Sequence, residues 1–298
     1  GVQTCALPIW ARDAWSRRGA NAVVGNPASA AVLEATVTGP ALRFEQDTVC
    51  AVTGADLEAA VDGVTLVRGR AYACRRGAVL RCGERRDGAR AYIACDGGFS
   101  APGVIGSRST HRGSRMGGHR GRALHAGDVL TLGAATVSPS GLRVIDMPRC
   151  GSGARLRVLP GPQEDWFDDD AWSALTSGRF EVSSRSERMG YRLAGPPIPL
   201  GRARRSDRDG ATMISDATFP GAIQVTPAGE AVLLMADRQT TGGYPQMATV
   251  ISADLPRAGQ LAPGDWVAFE VCRLTDRSEE HTSELRRLHL VCRLLLEK

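Results

Sequence analysis

Lysine is almost absent from this chain of 298 residues, because Lys298 at the C-terminus is the only one. Histidine apart, every other cationic side chain is an arginine. A Walker-type phosphate-binding loop, a Schiff base and a biotin carrier each require a lysine amine. The body of the chain therefore contains none of these three sites.

Paired cysteines and long apolar runs are missing as well. The eight cysteines include no CxxC pair, and the sequence opens without a secretory signal, so we predict reduced thiols in a cytoplasmic protein. No run approaches the roughly 18 apolar residues that a membrane span requires. The formal net charge of +5 is weak support for nucleic-acid binding. The histidine spacings match no zinc motif, so no metal site is predicted.

Glycine and proline are plentiful, with 35 and 16 residues. Turn signals such as Asp62-Gly63 separate short apolar stretches, a pattern typical of β-hairpins. The predicted strands are Val32–Val37, Thr48–Thr53, Ala71–Ala73 and Ala89–Ala94, and the predicted helices are Asp13–Val24 and Asp168–Ser177. Because helices do not alternate regularly with strands, the pattern favours a mainly β fold of barrels or sandwiches over a doubly wound sheet.

The two ends carry strings that we exclude from the fold. The string VQTCALPI at residues 2–9 can be encoded by DNA whose reverse complement encodes most of RSEEHTSEL at residues 277–285. Both resemble translated sequencing adapter, so residues 1–9 and 277–298 are interpreted as adapter-derived tails. The segment PRCGSGAR at 148–155 is the best linker, which predicts two subdomains at residues 10–150 and 151–276.

The polar string ADRQTTGGYPQ, which follows the apolar run AVLLM, is the strongest candidate site. It brings together Asp237, Arg238, Gln239, Thr240, Thr241, Gly242, Gly243 and Tyr244. The paired glycines allow backbone amides to approach a ligand closely. The same pattern also fits a turn whose polar groups cap one another.

Three further motifs carry candidate residues. Arg188, in SERMGYRL, could hold a carboxylate or phosphate through two hydrogen bonds, and Gln224 lies on a short strand in GAIQV. Arg108 and Ser109, in GSRST, could belong to an anion-binding nest. The neighbouring string HRGSRMGGHRGR, at residues 111–122, resembles an RNA-binding RGG segment, but it lacks aromatic residues and is interpreted as a solvated loop.

Taken in order, these motifs resemble the biotin-dependent carboxyltransferase-like family, whose members are called allophanate hydrolase subunit 2, urea amidolyase-related protein or the C subunit of 5-oxoprolinase. The resemblance covers residues 20–269. Its matching strings are ANAVVGNPASAAVLEATVTGPALRF, VTGADL, GGF with GSRST, LRVLPGPQEDWF, SERMGYRL, GAIQV and ADRQTTGGYPQMATVISADL.

The resemblance implies two cyclophilin-like β-barrel subdomains, a few short helices and a cleft between the barrels. It implies a subunit of an ATP-dependent 5-oxoprolinase that converts 5-oxo-L-proline to L-glutamate and is inactive alone. The expected partners are the kinase-inhibitor-like and LamB/YcsF-like subunits. Two alternatives stay open: a carboxyltransferase that uses biotin carried by another chain or domain, and a regulatory module that antagonises a kinase inhibitor.

The family's polar cleft motifs also suggest roles for the candidate residues. The resemblance implies catalytic roles for Arg188, Asp237, Arg238 and Asp254. It implies substrate or cofactor binding by Arg108, Ser109, Gln224, Gln239, Thr240, Thr241, Gly242, Gly243 and Tyr244. Arginines would stabilise developing charge, and Asp237 or Asp254 would orient water. Members usually begin with a strand that this chain lacks, which would leave a barrel edge unpaired.

Overall fold

The computed structural model of the protein describes residues 11–104, 106–135, 143–201 and 213–272, and the backbone of residues 2–5. The chain divides into two compact units, Gly1–Gly151 (unit 1) and Ser152–Lys298 (unit 2). Strands far outnumber helices in the described parts of both units, which confirms the predicted mainly β fold. Among the described helices, none is both long enough and apolar enough to cross a membrane.

Unit 1 combines one helix with nine strands in its described residues. These elements are β1 (Val2–Cys5), α1 (Ala14–Val23), β2 (Val32–Thr36), β3 (Ala41–Arg43), β4 (Thr48–Asp56), β5 (Ala60–Val61), β6 (Val64–Thr65), β7 (Ala71–Cys74), β8 (Val79–Arg81) and β9 (Asp87–Cys95). One antiparallel sheet has the order β1-β2-β9-β4-β7, and a smaller one has the order β3-β8-β5-β6.

The larger sheet of unit 1 is covered on both faces, which explains why β9 is almost entirely buried. Successive side chains of a strand point to opposite faces. Tyr92 belongs to the core cluster that includes Ala20 and Val23 of α1. Its neighbour Ile93 belongs to the opposite cluster with Leu33 of β2. The central strand is therefore uninterrupted by charged residues from Ala91 to Cys95, although the sheet is antiparallel.

Helix α1 and the β5–β6 hairpin form where local sequence rules place them. The Asp13 carboxylate accepts a hydrogen bond from the Ser16 backbone N–H at 2.9 Å, which caps the first turn of α1. Asp62 and Gly63 join β5 to β6 with φ angles of +48° and +84°. Positive φ at both central positions is characteristic of a type I′ hairpin turn, so this prediction is confirmed.

Residues 2–5 differ from the sequence-based expectation. The sequence predicts that they belong to an adapter-derived tail, yet they form β1 and pair with β2, for example Val2 with Ala35 and Cys5 with Val32. Pairing of this kind depends on main-chain N–H and C=O groups rather than on side chains, so an exposed strand edge accepts almost any extended segment. The edge that the family resemblance predicted to be unpaired is therefore occupied.

Unit 2 contains nine strands and two α-helices in its described residues. They are β10 (Gly153–Pro160), α2 (Asp169–Ser177), β11 (Phe180–Val182), β12 (Gly190–Ala194), β13 (Asp216–Ala217), β14 (Ala222–Val225), β15 (Ala231–Leu234), β16 (Thr241–Gly242), β17 (Gln246–Val250), α3 (Leu255–Gly259) and β18 (Trp266–Val271). A 3₁₀ turn at Glu164–Trp166 precedes α2.

Seven strands of unit 2 close into a barrel in the order β10-β17-β14-β15-β12-β11-β18. The first and last strands in the chain, β10 and β18, run parallel to each other and close the ring. The other neighbours are antiparallel. The interior is apolar and includes Leu156, Leu233 and the rings of Phe180 and Phe269, whose centroids are 5.9 Å apart. The barrel is filled by side chains rather than by solvent.

The predicted strands and helices are all present, with ends that shift by a few residues. Asp13 and Asp168 cap the two predicted helices instead of lying within them. Residues 195–201 are irregular, and the tail predicted at 277–298 lies outside the described residues.

The barrel core predicts the first mutational result. Phe269 is 1% exposed, so Phe269→Ala should remove buried contacts, leave a cavity and lower the free energy of unfolding by about 3–5 kcal/mol. Val271, on the same strand, is 47% exposed, so Val271→Ala should change stability by less than about 0.5 kcal/mol. Urea denaturation of both variants tests this, and equal midpoints would contradict the assigned core.

Candidate functional site

The polar string that the sequence singles out forms the connection between β15 and β17. Strand β15 is apolar and lies in the barrel wall. The chain then leaves the wall, and Thr241–Gly242 forms β16, which pairs with β13 outside the barrel. The polar residues 237–244 are therefore carried by a two-stranded ribbon anchored at both ends to barrel strands.

An ion pair between Arg188 and Asp237 anchors the start of this connection. Nε of Arg188 is 2.8 Å from Oδ2 of Asp237, and Nη2 is 3.2 Å from Oδ1. The side chains are 18% and 9% exposed. The Asp237 N–H also donates to the Arg188 carbonyl at 3.1 Å. Because its guanidinium is engaged in this way, Arg188 fits a positioning role better than the predicted contact with substrate.

Arg238, the next residue, is placed differently. Its Nε donates to the Thr218 carbonyl at 3.3 Å, and its remaining guanidinium N–H groups make no hydrogen bond to the described part of the chain. Partial burial lowers the pKa of Arg238 from its ordinary value by desolvation, although a guanidinium stays charged at neutral pH. Arg238 thus presents unused donors for an anionic oxygen.

Two buried glutamine amides lie beneath the ribbon. Nε2 of Gln224 donates to the Tyr244 carbonyl at 3.2 Å, and Nε2 of Gln246 donates to the Ala217 carbonyl at 2.8 Å. Both side chains are at most 2% exposed. Within the residues that the structure describes, Oε1 of Gln246 accepts no hydrogen bond. An unused buried acceptor costs free energy unless a water or ligand satisfies it.

Gly242 is required by the packing around these amides. A Cβ at this position would come within 2.5 Å of Nε2 of Gln224 and 3.3 Å of Nε2 of Gln239. The first distance is shorter than any real contact, so any side chain at position 242 would displace Gln224. The close contact at Gly242 is with the side chain of Gln224, and the approach of the glycine amides to a ligand stays a prediction.

The other predicted residues of the connection lie at its outer side. Thr240 and Thr241 are exposed, and Tyr244 is 43% exposed. The Thr240 carbonyl accepts a hydrogen bond from the Thr218 N–H at 3.0 Å, and the Thr218 hydroxyl donates to the Gln239 carbonyl. Part of the string is therefore held by mutual hydrogen bonds, as in the capping turn that the sequence left open.

Asp254 is held in an ion pair, and the catalytic role predicted for it stays a prediction. Its two oxygens accept three hydrogen bonds from Arg157, from the backbone N–H at 2.8 Å, Nε at 2.9 Å and Nη2 at 2.6 Å. The Asp254 side chain is 2% exposed. With both oxygens occupied in this way, Asp254 forms an ion pair that joins β10 to the start of α3.

Arg108 and Ser109 belong to unit 1, whereas the other predicted site residues belong to unit 2. The Ser109 N–H donates to the Ser107 hydroxyl at 3.1 Å, which removes one donor from the predicted nest. Ser109 is 6% exposed. Arg108 is exposed. Among the described residues, no group of three or more His, Cys, Asp or Glu side chains is arranged to hold a metal.

Three residues of this region were not identified from the sequence. Gln246 lies within the string that was singled out, and its position as a polar residue at the start of a buried strand was the available signal. Thr218 and Arg157 have no local signal, because their partners are 20 or more residues away along the chain.

Comparison with known proteins assigns the chain to a class. Residues 11–271 match the carboxyltransferase domain family, subdomains A and B, and the chain belongs to this family. This confirms the resemblance seen in the sequence motifs.

Named relatives refine this assignment. The chain is 34% identical to the C subunit of 5-oxoprolinase from Escherichia coli, over 96% of this chain and 88% of that protein. It is 31% identical to the C subunit of 5-oxoprolinase from Haemophilus influenzae, over 97% of this chain and 91% of that protein. It is also similar to the crystal structure of the K. lactis urea amidolyase, with 27% identity, a TM-score of 0.87, and coverage of 97% of this chain and 19% of that one.

The ion pair of Asp254 with Arg157 predicts that removing its charge causes a loss of stability without a specific loss of chemistry. Asp254→Asn should lower the free energy of unfolding by about 3 kcal/mol, because it leaves the Arg157 guanidinium without its charge partner. Arg185→Gln, which breaks an ion pair with Glu230 at a 70% exposed arginine, should change stability by less than about 0.5 kcal/mol. Thermal denaturation compares the two variants. A fully stable but inactive Asp254→Asn protein would support the catalytic role.

Proposed function

We propose that this chain is a subunit of an ATP-dependent 5-oxoprolinase, which hydrolyses 5-oxo-L-proline to L-glutamate together with partner subunits. One observation carries the proposal: Arg238 presents unused donors beside the amides around Gly242. The chain that contains this site spans nearly the whole of two relatives named as the C subunit of 5-oxoprolinase. A cationic group and amides at one place suit a small cyclic amide whose oxygen becomes more negative as it reacts.

Arg238 is the residue that would stabilise the developing charge. Its guanidinium is partly withdrawn from water, which strengthens its interaction with an anionic oxygen. Arg188 and Asp237 would keep Arg238 in place, because their ion pair fixes the adjoining backbone. Gln224 and Gln239 offer amide groups that complement the N–H and C=O of a lactam. Asp237 is a carboxylate of the proposed site that could orient water.

ATP, when bound to the complex, supplies the phosphoryl group that activates the lactam oxygen. The unused donors of Arg238 fit a phosphoryl or lactam oxygen at this site. These residues of unit 2 would therefore bind and orient the reacting amide rather than form a covalent bond with it.

The proposal includes partner subunits and a compartment. Relatives that are named as one of several 5-oxoprolinase subunits imply a multi-subunit enzyme. We propose the kinase-inhibitor-like and LamB/YcsF-like proteins as partners, with no turnover by this chain alone. Cytoplasmic localisation is part of the same proposal. It is supported by the free thiols of all six cysteines in the described residues, since reducing compartments keep thiols unpaired.

A second candidate is carboxyl transfer from biotin to urea or a similar amide. The similarity to the K. lactis urea amidolyase structure over 97% of this chain favours it. Biotin would have to be carried by another chain or domain, because Lys298 is the only lysine of this one. The same Arg238 and amide groups would then contact the transferred carboxyl group.

The role of Arg238 is tested in the complex with its partner subunits. Arg238→Met keeps the length of the side chain but removes its charge and donors, so kcat for ATP-dependent glutamate formation should fall by roughly a hundredfold or more. Arg257→Met is the matched control, because Arg257 is exposed in the same unit. Equal rates for the two variants would exclude Arg238 from the chemistry.

The positioning pair makes a separate prediction. Arg188→Ala and Asp237→Ala should each nearly abolish glutamate formation, and the double variant should be little worse than either, because the two side chains act as one unit. Steady-state kinetics of the three complexes measures this. Wild-type rates from either single variant would remove the pair from the proposal.

The two candidate functions are separated by their cosubstrates. Glutamate released from 5-oxoproline with ATP, in the absence of biotin, supports the first candidate. Carboxylation of urea that requires a biotin carboxylase and a lysine-bearing carrier supports the second.

A further inference from the structure

Residues 97–127 of unit 1 form a strongly cationic stretch. They contain five arginines and no aspartate or glutamate. One of these arginines is neutralised locally, because Arg122 makes two hydrogen bonds of 2.7 Å to Asp128. This contact lowers the pKa of the Asp128 carboxyl well below its usual range. Arg122 therefore forms an ion pair that fixes the end of the loop.

The other four arginines of this stretch carry uncompensated charge. Arg108, Arg112, Arg115 and Arg120 are all exposed. Within the described residues none of the four side chains makes an ion pair or hydrogen bond, whereas many other arginines of the chain do. Four guanidinium groups without a carboxylate between them repel one another in the free protein. An anionic ligand would relieve that repulsion.

Glycines bring these arginines into one compact loop, residues 108–122. A Cβ on Gly117 would come within 2.3 Å of the Ser109 carbonyl oxygen. A Cβ on Gly121 would come within 2.0 Å of the Arg115 carbonyl oxygen. The backbone beside Arg108 and the backbone beside Arg120 therefore each pack against another part of the same loop. Only glycine permits contacts as short as these.

The backbone of the loop is strained at two of the arginines and offers unused donors between them. Arg115 and Arg120 have φ angles of +54° and +55°, in a region that non-glycine residues rarely occupy and that concentrates at functional sites. Within the described residues, the N–H groups of residues 117–120 donate no hydrogen bond. Successive N–H groups in a tight turn form a concave site for anions.

We propose that the loop at residues 108–122 binds the phosphate chain of a nucleoside triphosphate. This inference rests on the proposed function, which requires ATP within the complex, and it assigns the phosphate contact to this chain. Several guanidinium groups and backbone N–H groups match a chain of linked phosphates better than a single carboxylate. The loop contains no phenylalanine, tyrosine or tryptophan on which bases could stack, so single-stranded nucleic acid is the less suitable ligand.

Isothermal titration of the full chain with ATP and with inorganic tripolyphosphate tests the proposal. Wild-type protein should bind both with similar affinity, and higher salt should weaken both. The triple variant Arg112→Gln, Arg115→Gln, Arg120→Gln should bind at least about tenfold more weakly. The matched control changes three exposed arginines of the same unit, as Arg18→Gln, Arg76→Gln, Arg81→Gln, and should stay within about twofold of wild type.

Three outcomes would overturn the proposal. They are wild-type protein that binds neither ligand, a control variant that loses as much affinity as the loop variant, and tighter binding of a single-stranded oligonucleotide than of tripolyphosphate. A loss of folding is distinguished by a second pair of variants. Arg115→Gly and Arg120→Gly relieve the left-handed backbone, so each should keep or raise Tm while weakening tripolyphosphate binding.

Kinetics of the complex with its partner subunits distinguishes a failure of this inference from a failure of the proposed function. If the wild-type complex forms glutamate and the triple variant keeps the wild-type KM for ATP, the loop is excluded while the 5-oxoprolinase assignment stands. If the complex forms no glutamate, the proposed function fails, and the titrations with tripolyphosphate still decide whether the loop binds phosphates.

Discussion

Two hydrogen bonds join the guanidinium of Arg188 to the carboxylate of Asp237. They fix the segment that follows β15 against the turn that precedes β12. The contact is possible because these strands are neighbours in the barrel, with Gly190 opposite Leu234. Both side chains are largely withdrawn from water, where the attraction between opposite charges is less screened than at a surface. Arg238 is placed by this anchor, and the amides beneath the ribbon are placed by the barrel strands.

The near absence of lysine gives the arginines two distinct uses. Arg157, Arg122 and Arg188 each hold a carboxylate through two or more hydrogen bonds and join segments of the fold. Arg238 and the loop at residues 108–122 have donors that the described residues do not use. Because a guanidinium stays charged and keeps its planar fork, this difference separates arginines that hold the fold from arginines whose donors are available to a ligand. The distinction requires coordinates, since all of these residues look alike in the sequence.

Local rules explain how much of the fold could be predicted. The capping residues of the two predicted helices, the type I′ turn at Asp62-Gly63 and the apolar strands all follow from short-range preferences of the backbone. Strand β1 could not be predicted in this way, because pairing along the edge of β2 depends on the backbone rather than on side-chain identity. Closure of the barrel by β10 and β18 joins segments more than 100 residues apart, and no local pattern encodes their parallel pairing.

The candidate site likewise combines features that the sequence predicted with features that only the structure revealed. Motif order alone was enough to identify the family, whereas the ligand contact predicted for the paired glycines stays a prediction. Only the tertiary structure separated Asp237 from Asp254, which both follow apolar strands in the sequence. Asp237 lies beside the ribbon with Arg188, whereas Asp254 is buried against Arg157, 97 residues away along the chain. A residue's own sequence neighbourhood determines its backbone conformation and burial tendency, but its ionic partner is set by the packing of distant strands, because the two charged groups meet only when those strands come together.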